Sequence, residues 1–402
     1  MSLNFGRTLL SIPGPSVIPD RVLNAMHRAS PNIYEGELHD VTYSLYPDLK
    51  RVARTEGEVA IYIANGHGAW EAALKNVLKP GEKALFLNTG RFADIWSHMA
   101  DSHQVNVQRI DFGMHEAVDP ARVEEALRAD IAGDIKAVLM VQSDTASSVR
   151  NDVAAVREAI DLAGHSALFM VDCIASLACD YFEMDEWGVD VMVAGCQKGL
   201  MTPAGISFVY FNKKADAVQT SVAPGTYWNW TPRVKPDVYY QLFSGTAPTH
   251  HVYGLREALD ILLEEEGLEA CWKRHQTIAR AVWAAIDAWG TKGAIKHNIA
   301  DSSKRSNAVS TLETGAGYAT QIRNWTEHNA GVTLGIGLGF GTPGTAEWDS
   351  HFRIGHMGHL NIPMIMGALS SIETAMKALN IPHGENGLSN ASKVLADHSL
   401  QK

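Results

Sequence analysis

One short stretch, from Val189 to Gly205, constrains the fold more than any other part of the chain. It begins with β-branched residues at alternate positions, which is typical of a buried strand, and then breaks into small residues, glycine and proline. Lys198 lies at that break, between Gly195 and Gly199. A lysine at the end of a buried strand can hold its amine beside a ligand and act as a Schiff-base nucleophile. Taken alone, however, the pattern favours a surface lysine in an ordinary loop.

A second apolar run begins at Ala167 and ends on Asp172. In an open α/β sheet the carboxyl ends of the strands border the crevice where ligands bind, so Asp172 and Lys198 are expected at the same sheet edge. Pyridoxal phosphate requires this pair, because a lysine binds it covalently and a carboxylate keeps its pyridine nitrogen protonated. As a single residue, Asp172 could instead cap the following helix.

The composition is that of a globular protein with a large core. The 402 residues are 46% hydrophobic and 20% charged, which suggests two domains. The net charge of −11 argues against nucleic acid as a partner, since nucleic-acid binding relies on clustered lysine and arginine. No run approaches the roughly 18 apolar residues of a membrane helix, so no membrane partner is expected.

The cysteines give a hint about the cellular compartment. Their spacing contains no CxxC pair, and it indicates reduced, packed thiols in a cytoplasmic protein. They are Cys173, Cys179, Cys196 and Cys271.

The motifs around Asp172 and Lys198 resemble those of the class V aminotransferases, within them the alanine–glyoxylate and serine–glyoxylate group. The similar motifs are Val171-Asp-Cys-Ile-Ala-Ser-Leu, Trp187-Gly-Val-Asp-Val and Gly195-Cys-Gln-Lys-Gly-Leu-Met-Thr-Pro-Ala-Gly. Others recur in the same order from Ile12 to about Leu360, so the resemblance covers nearly the whole chain.

Predicted strands and helices alternate between residues 59 and 211, which indicates a parallel, three-layer α/β domain. The resemblance implies fold type I, in which this large domain with its mainly parallel sheet is followed by a smaller C-terminal α+β domain. We therefore expect an N-terminal strap over residues 1–20, a large cofactor-binding domain over 21–260, a small domain over 261–390 and a polar tail over 391–402.

A glycine turn follows the strand that begins at Val59. Strand, turn and helix N-terminus together form a cradle for an anion, although such a turn can also be a tight connection without a ligand. The resemblance implies that Asn65, Gly66 and His67 hold the cofactor phosphate there.

The resemblance implies further cofactor contacts. Phe92 would stack on the pyridine ring, although its sequence context alone is more often that of a core residue. Thr145 and Gln197 would contact the cofactor beside Lys198 and Asp172. Thr246 would bind the phosphate of the partner subunit, which implies a homodimer with shared active sites.

Arg353 lies on a short apolar run, where an unpaired guanidinium is costly to bury and is suited to binding a carboxylate. An internal Asp or Glu is the alternative partner. The motif Arg353-Ile-Gly-His-Met-Gly resembles the family's anchor for the substrate α-carboxylate. Gly14 and Ser16, in the N-terminal strap, are further candidate substrate contacts.

The loop that contains Tyr34, Glu35 and Glu37 departs from the family pattern. We expect Tyr34 to line the substrate pocket, where the acidity of its neighbours would disfavour a second substrate carboxylate. A solvated acidic loop is the alternative interpretation.

Two other patterns are interpreted without a ligand. His351, His356 and His359 lack a convincing metal spacing with carboxylates, so we expect no metal site. The glycine-rich stretch from Gly335 to Gly341 is not followed by a strong helix start, so we do not expect it to bind phosphate.

These observations predict a transaminase that moves an amino group from alanine or serine to glyoxylate or pyruvate by a ping-pong mechanism through a Lys198 Schiff base. Pyridoxamine–pyruvate transaminase is an open alternative. A cysteine desulfurase would need a mobile cysteine in the small domain, whereas Cys271 lies in a helical pattern. A regulator that only binds the cofactor is a third alternative, and no DNA-binding appendage is visible.

Overall fold

Two β-sheets organise the chain in the computed structural model, which describes residues 3–315 and 317–399. The strands are β1 (Leu9–Ser11), β2 (Glu58–Tyr62), β3 (Lys83–Asn88), β4 (Asn106–Asp111), β5 (Ile135–Val141), β6 (Ser143–Asp144), β7 (Val149–Arg150), β8 (Leu168–Asp172), β9 (Val191–Gly195), β10 (Ser207–Phe211), β11 (Lys296–His297), β12 (Val309–Glu313), β13 (Val332–Ile336) and β14 (His351–Gly355). The α-helices are α1 (Asp20–Met26), α2 (Glu37–Ala53), α3 (Gly66–Val77), α4 (Arg91–Ser102), α5 (Pro120–Ala129), α6 (Val153–Leu162), α7 (Lys213–Gln219), α8 (Thr231–Val234), α9 (Thr249–Asp260), α10 (Leu268–Gly290), α11 (Tyr318–Trp325), α12 (Ala346–Asp349), α13 (Ile362–Ala378) and α14 (Gly387–Ser399).

The larger sheet has the order β2-β10-β9-β8-β5-β3-β4. Strand β10 pairs antiparallel with both β9 and β2, and the remaining neighbours pair parallel. The central strands are mostly apolar because both of their faces are covered. In β5, for example, Val138 and Met140 pack into one core, while Leu139 and Val141 pack into the core on the other face. The predicted three-layer α/β fold with a mainly parallel sheet is confirmed.

The smaller sheet has the order β1-β13-β14-β12-β11. One face carries Phe352 and Ile354, which pack into a third core together with residues of α10, α11, α13 and α14. Strand β1 pairs parallel with β13 at the edge of this sheet. Part of the expected N-terminal strap is therefore a strand of the smaller sheet. Its backbone covers the edge of β13, which would otherwise be unpaired.

The chain after residue 390 differs from the expected polar tail. Residues Gly387–Ser399 form helix α14, which buries Ala391 and Leu395 in the third core. Two apolar residues one helical turn apart are enough to dock the helix, although the polar residues around them hide the pattern. Residues 400–402 lie outside the described part of the chain.

Helix α10 connects the two cores. Its first residues, Leu268, Cys271 and Trp272, pack into the core of the larger sheet. Its later residues, from Ile278 to Trp289, pack into the core of the smaller sheet. The helical segment before α10 ends at Gly267, which has a φ of 84°. Glycine adopts that conformation at low cost.

Candidate active site

The carboxyl ends of the larger sheet border a cavity of about 240 Å³. It is lined by Asn65, Gly66, His67, Trp70, Phe92, Val141, Ser143, Thr145, Asp172, Ile174, Ala175, Gln197 and Lys198. The structure thus brings together every residue predicted to contact the cofactor except Thr246. Their roles at that position remain predictions.

Lys198 follows β9 and extends into this cavity. Its Nζ donates a hydrogen bond to the carbonyl of Pro13. Burial and, to a lesser extent, the nearby Arg353 guanidinium lower the pKa of Lys198 to about 8, and Asp172 opposes the shift. A lysine with a lowered pKa is more often a neutral amine near pH 8, which is the nucleophilic form.

Asp172 ends β8 and is 3% exposed. Its Oδ1 accepts a hydrogen bond from the backbone N–H of Ile174 (2.6 Å), and its Oδ2 accepts one from the indole Nε1 of Trp70 (2.9 Å). Burial raises the pKa of Asp172 to about 7, and these two hydrogen bonds oppose that rise. The sequence did not single out Trp70, and no local pattern could do so, because the two residues are 102 positions apart.

The start of helix α3 forms one wall of the cavity. The side chain of Asn65 caps this helix, accepting hydrogen bonds from the backbone N–H groups of His67 (3.0 Å) and Gly68 (3.4 Å). Gly66 approaches the chain after β8 closely, since a Cβ there would lie 2.5 Å from the Cδ1 of Ile174. The positive end of the helix dipole therefore faces the cavity, as a site for an anion requires.

Phe92 lies on the cavity wall at the start of helix α4 and is partly buried. Its backbone N–H and that of Ala93 donate to the Oδ2 of Asp144, at 2.8 and 3.2 Å. Asp144 is thus used to cap α4. Its carboxylate faces these backbone amides.

Arg353 lies on β14 of the smaller sheet and reaches the wall of the cavity. Its Nε donates to the carbonyl of Ile336 (2.7 Å) and its Nη1 to the carbonyl of Thr145 (2.9 Å). Within the described residues it has no carboxylate at ion-pair distance, so the internal Asp or Glu considered as an alternative is not found. Burial lowers the pKa of Arg353 to about 10, and attraction to Asp144 opposes that shift.

Gly14 and Ser16 lie against Lys198. The Oγ of Ser16 donates to the carbonyl of Lys198 (2.7 Å), and its backbone N–H donates to the carbonyl of Gln197 (2.9 Å). Gly14 has a φ of 99° and is so close to the side chain of Lys198 that a Cβ there would overlap it. The N-terminal segment therefore fixes the backbone and one side of the lysine.

Tyr34 and Thr246 do not reach this cavity in the single chain. Tyr34 is 85% exposed, and both residues line a separate groove of about 510 Å³ together with Tyr239 and Tyr240. Within one subunit Tyr34 therefore lies away from the cavity, and the prediction that it lines the substrate pocket stays a prediction. The loop leads directly into α2, which packs against α9.

The acidic neighbours of Tyr34 are also exposed. The carboxylate of Glu37 forms an ion pair with Arg28, at 2.8 Å.

The described part of the chain offers neither a metal site nor a membrane span. No group of three His, Cys, Asp or Glu side chains is arranged to hold a metal ion there. No helix in those residues has the length and apolar character needed to cross a membrane.

Known proteins with similar sequences share almost the full length of this chain. A serine–glyoxylate aminotransferase of Methylorubrum extorquens is 37% identical over 99% of the chain and 98% of its own length. An L-aspartate–glyoxylate aminotransferase of Paracoccus denitrificans is 34% identical over 92% of the chain and 91% of its own length.

Solved structures show the same fold at lower identity. Pyridoxamine–pyruvate aminotransferase of Mesorhizobium loti superposes with a TM-score of 0.86 and 23% identity, covering 99% of this chain and 100% of that one. The family model described as aminotransferase class-V matches residues 10–323. With that match, and with relatives above 30% identity along nearly its whole length, the chain belongs to the class V aminotransferase family.

Proposed function

We propose that this protein is a pyridoxal-phosphate-dependent transaminase that moves an amino group from alanine or serine to glyoxylate or pyruvate. One observation carries the proposal: the amine of Lys198 and the carboxylate of Asp172 line one cavity, and Arg353 backs the same wall. The names of the relatives support an acceptor such as glyoxylate, since both relatives described above use it.

The residues of the cavity fit the cofactor. Lys198 would hold it covalently, Asp172 would face its ring nitrogen, and the start of α3 would receive its phosphate. Gln197 adds a further polar group, because its Oε1 is buried and has no hydrogen-bond partner among the described residues. When bound, pyridoxal phosphate supplies an electron sink for the bonds of the substrate α-carbon.

Lys198 would also move the proton. Once the amine of the substrate has displaced it, its Nζ would take the proton from the substrate α-carbon. A pKa near 8 suits both directions of this transfer, because the amine is then present in both forms near neutral pH. Before the reaction, the hydrogen bond to Pro13 fixes the position of the lysine amine, and the contacts of Ser16 fix its backbone.

Arg353 would bind the substrate α-carboxylate. Its Nε and Nη1 are used by backbone carbonyls, and Nη2 makes no hydrogen bond within the described residues. Nη2 can therefore donate to a ligand while Nε and Nη1 keep their hydrogen bonds to the backbone carbonyls. A second substrate carboxylate would need a second cation, so we propose monocarboxylate partners.

A homodimer would complete the site. The groove that holds Tyr34 and Thr246 exposes the aromatic side chain of Tyr240 and the apolar side chain of Val238, 61% and 46% exposed. We propose that a second copy covers this groove and that Thr246 then reaches the partner's phosphate site. The four cysteines are free and buried, which supports a cytoplasmic location.

A substrate screen tests the proposal. The value of kcat/KM is measured for alanine, serine, aspartate, glutamate and pyridoxamine as donors, each with glyoxylate and with pyruvate. We expect alanine or serine to exceed aspartate by at least about tenfold, since a carboxylate without a partner cation costs more than 1 kcal/mol. Aspartate as the best donor would contradict the monocarboxylate proposal.

Pyridoxamine as the best donor would favour a second candidate, pyridoxamine–pyruvate transamination. The acidic side chains of Glu35 and Glu37 near the Tyr34 groove are the feature that favours it, because carboxylates can bind a cofactor-like amine.

A further inference from the structure

Trp70 contacts the carboxylate at the centre of the cavity, yet nothing above gives it a role in the reaction. We propose that the indole N–H of Trp70 holds the Asp172 carboxylate in one orientation and favours its ionised form, which makes Trp70 a positioning residue for the cofactor ring. This inference rests on the proposed function, because Asp172 matters to the reaction only where it faces a pyridine nitrogen.

The hydrogen bonds of Asp172 are divided evenly between its oxygens. Oδ1 accepts from the backbone of Ile174 and Oδ2 accepts from the Nε1 of Trp70, at 2.6 and 2.9 Å. An indole nitrogen can only donate, so this contact is made to an oxygen that accepts. Both contacts oppose rotation of the carboxylate about its Cβ–Cγ bond.

The ring of Trp70 is itself fixed. It is 1% exposed and is stacked on Trp96, with ring centroids 5.9 Å apart and planes 14° apart. The ring of His67 lies 4.6 Å from it. Because its aromatic neighbours already hold the ring, keeping this hydrogen bond costs Trp70 little side-chain entropy. The indole N–H is therefore held in place to donate to Asp172.

The electrostatic consequence follows from the surroundings of Asp172. Burial, with a smaller contribution from Asp144, raises the pKa of this carboxyl to about 7. The hydrogen bonds from Ile174 and Trp70, with a smaller contribution from the amine of Lys198, keep it from rising further. Without the indole N–H, the ionised form loses a donor while burial stays the same. The protonation midpoint of Asp172 should then rise by about one pH unit.

The chain offers a matched control in Trp96. Its ring belongs to the same stack, but its Nε1 is buried and has no hydrogen-bond partner among the described residues. Trp96→Phe therefore removes an indole from the stack without removing a hydrogen bond from Asp172. Trp70→Phe removes both.

The experiment uses the cofactor-free protein with carbon-13 in the aspartate carboxyl groups. The protonation midpoint of Asp172 is followed by NMR, and Asp172→Asn identifies its signal. We expect Trp70→Phe to raise the midpoint by about one pH unit and Trp96→Phe to change it by less than about a third of that. Pyridoxal phosphate should also dissociate about tenfold more readily from Trp70→Phe at neutral pH, and not from Trp96→Phe.

Equal midpoints in the two variants would overturn the inference and leave Trp70 as a packing residue. If Trp70→Phe does not fold, 3-benzothienylalanine at position 70 keeps the shape of the ring and removes only the N–H. The same comparison then applies.

Failure of this inference can be told apart from failure of the proposed function. A wild-type protein that binds the cofactor and transaminates, with an unchanged midpoint in Trp70→Phe, contradicts the inference alone. A wild-type protein that does not bind pyridoxal phosphate contradicts the proposed function.

Discussion

At the scale of single residues, the site depends on three ionisable groups from three different strands: Asp172 ends β8, Lys198 follows β9, and Arg353 lies within β14. Asp172 and Lys198 could be predicted because each follows a run of β-branched or apolar residues in the sequence. Arg353 could be predicted because a guanidinium is rare on an apolar strand. The contact between Trp70 and Asp172 could not, since it depends on how a helix packs beside a distant strand.

Replacing Lys198 by Ala should remove the visible absorbance of the bound cofactor and lower kcat by about a thousandfold or more, because the covalent link and the proton carrier are lost together. Absorbance spectra and steady-state kinetics measure both effects. Lys136→Ala is the matched control, since Lys136 contacts the carbonyl of Gly133 at the surface. An unchanged visible spectrum in Lys198→Ala would contradict the assignment.

Arg353→Lys should raise KM for every amino acid and oxo acid by a similar factor, about tenfold or more, because one ammonium cannot replace the planar guanidinium for any carboxylate. Initial rates with two donors and two acceptors test this. Arg280→Lys, at an exposed position of α10, is the control. A loss of thermal stability with unchanged KM would show that Arg353 supports only the fold.

The raised pKa of Asp172 makes stability depend on pH in the cofactor-free protein. Below about pH 4 both the folded and the unfolded carboxyl are protonated. From there to pH 7 the unfolded state loses its proton more readily, so the free energy of unfolding should fall as pH rises, by a few kcal/mol, about 1.4 for each unit of pKa difference.

Asp172→Asn lacks this group and should not show that part of the decrease. Urea unfolding of both proteins between pH 4 and 8 measures the difference. Lys198 does not affect this comparison, because its lowered pKa changes the free energy of unfolding only between about pH 8 and 10.5. Parallel curves for the two proteins would contradict the assigned cause.

At the scale of elements, most helices and strands of the larger sheet could be predicted because their periodicity and caps are local. Asp119 at the N-cap and Pro120 in the first turn of α5 are examples. Helix α14 and strand β1 were not predicted in these roles. Helix α14 has few apolar residues and is held by the third core, and β1 is only 3 residues long and is held by β13. A local pattern does not show either contact.

The cap of helix α3 links stability to the site. Asn65→Ala should lower the free energy of unfolding by about 1 kcal/mol and should also weaken binding of pyridoxal phosphate, because the freed amides disorder the turn that faces the cavity. Urea unfolding and cofactor titration measure the two effects.

Asp119→Ala is the matched control for Asn65→Ala. Asp119 caps α5 by accepting from the backbone of Ala121, and it is not among the residues that line the cavity. It should cost similar stability and leave cofactor affinity unchanged. Equal losses of affinity in both variants would show that the α3 cap has no special link to the site.

At the scale of the whole molecule, the fold class followed from the alternation of strands and helices, whereas the positions of Tyr34 and Thr246 relative to Lys198 did not. Both residues lie in a groove apart from the cavity of their own chain. Whether they serve a site depends on a second subunit, and the arrangement of subunits is not a property of local sequence.

Subunit mixing tests the shared site. If Thr246 acts on the partner's cofactor, a heterodimer of Lys198→Ala and Thr246→Glu has one site with both defects and one site with neither. Random mixing after co-refolding should then restore about a quarter of the wild-type activity, since about half of the dimers are mixed. Each variant alone should be nearly inactive. No recovery in the mixture would show that Thr246 and Lys198 act on the same chain's site. A fully active Thr246→Glu homodimer would show that Thr246 has no part in it.

The pairing of β1 with β13 has one further consequence. Ser11 belongs to the smaller sheet, and only a few residues later Gly14 and Ser16 press on Lys198. Such a short span of backbone has almost no slack, so a rotation of the smaller sheet must shift the residues that hydrogen-bond to Lys198. The N-terminal segment therefore couples the position of the smaller sheet to the position of the lysine.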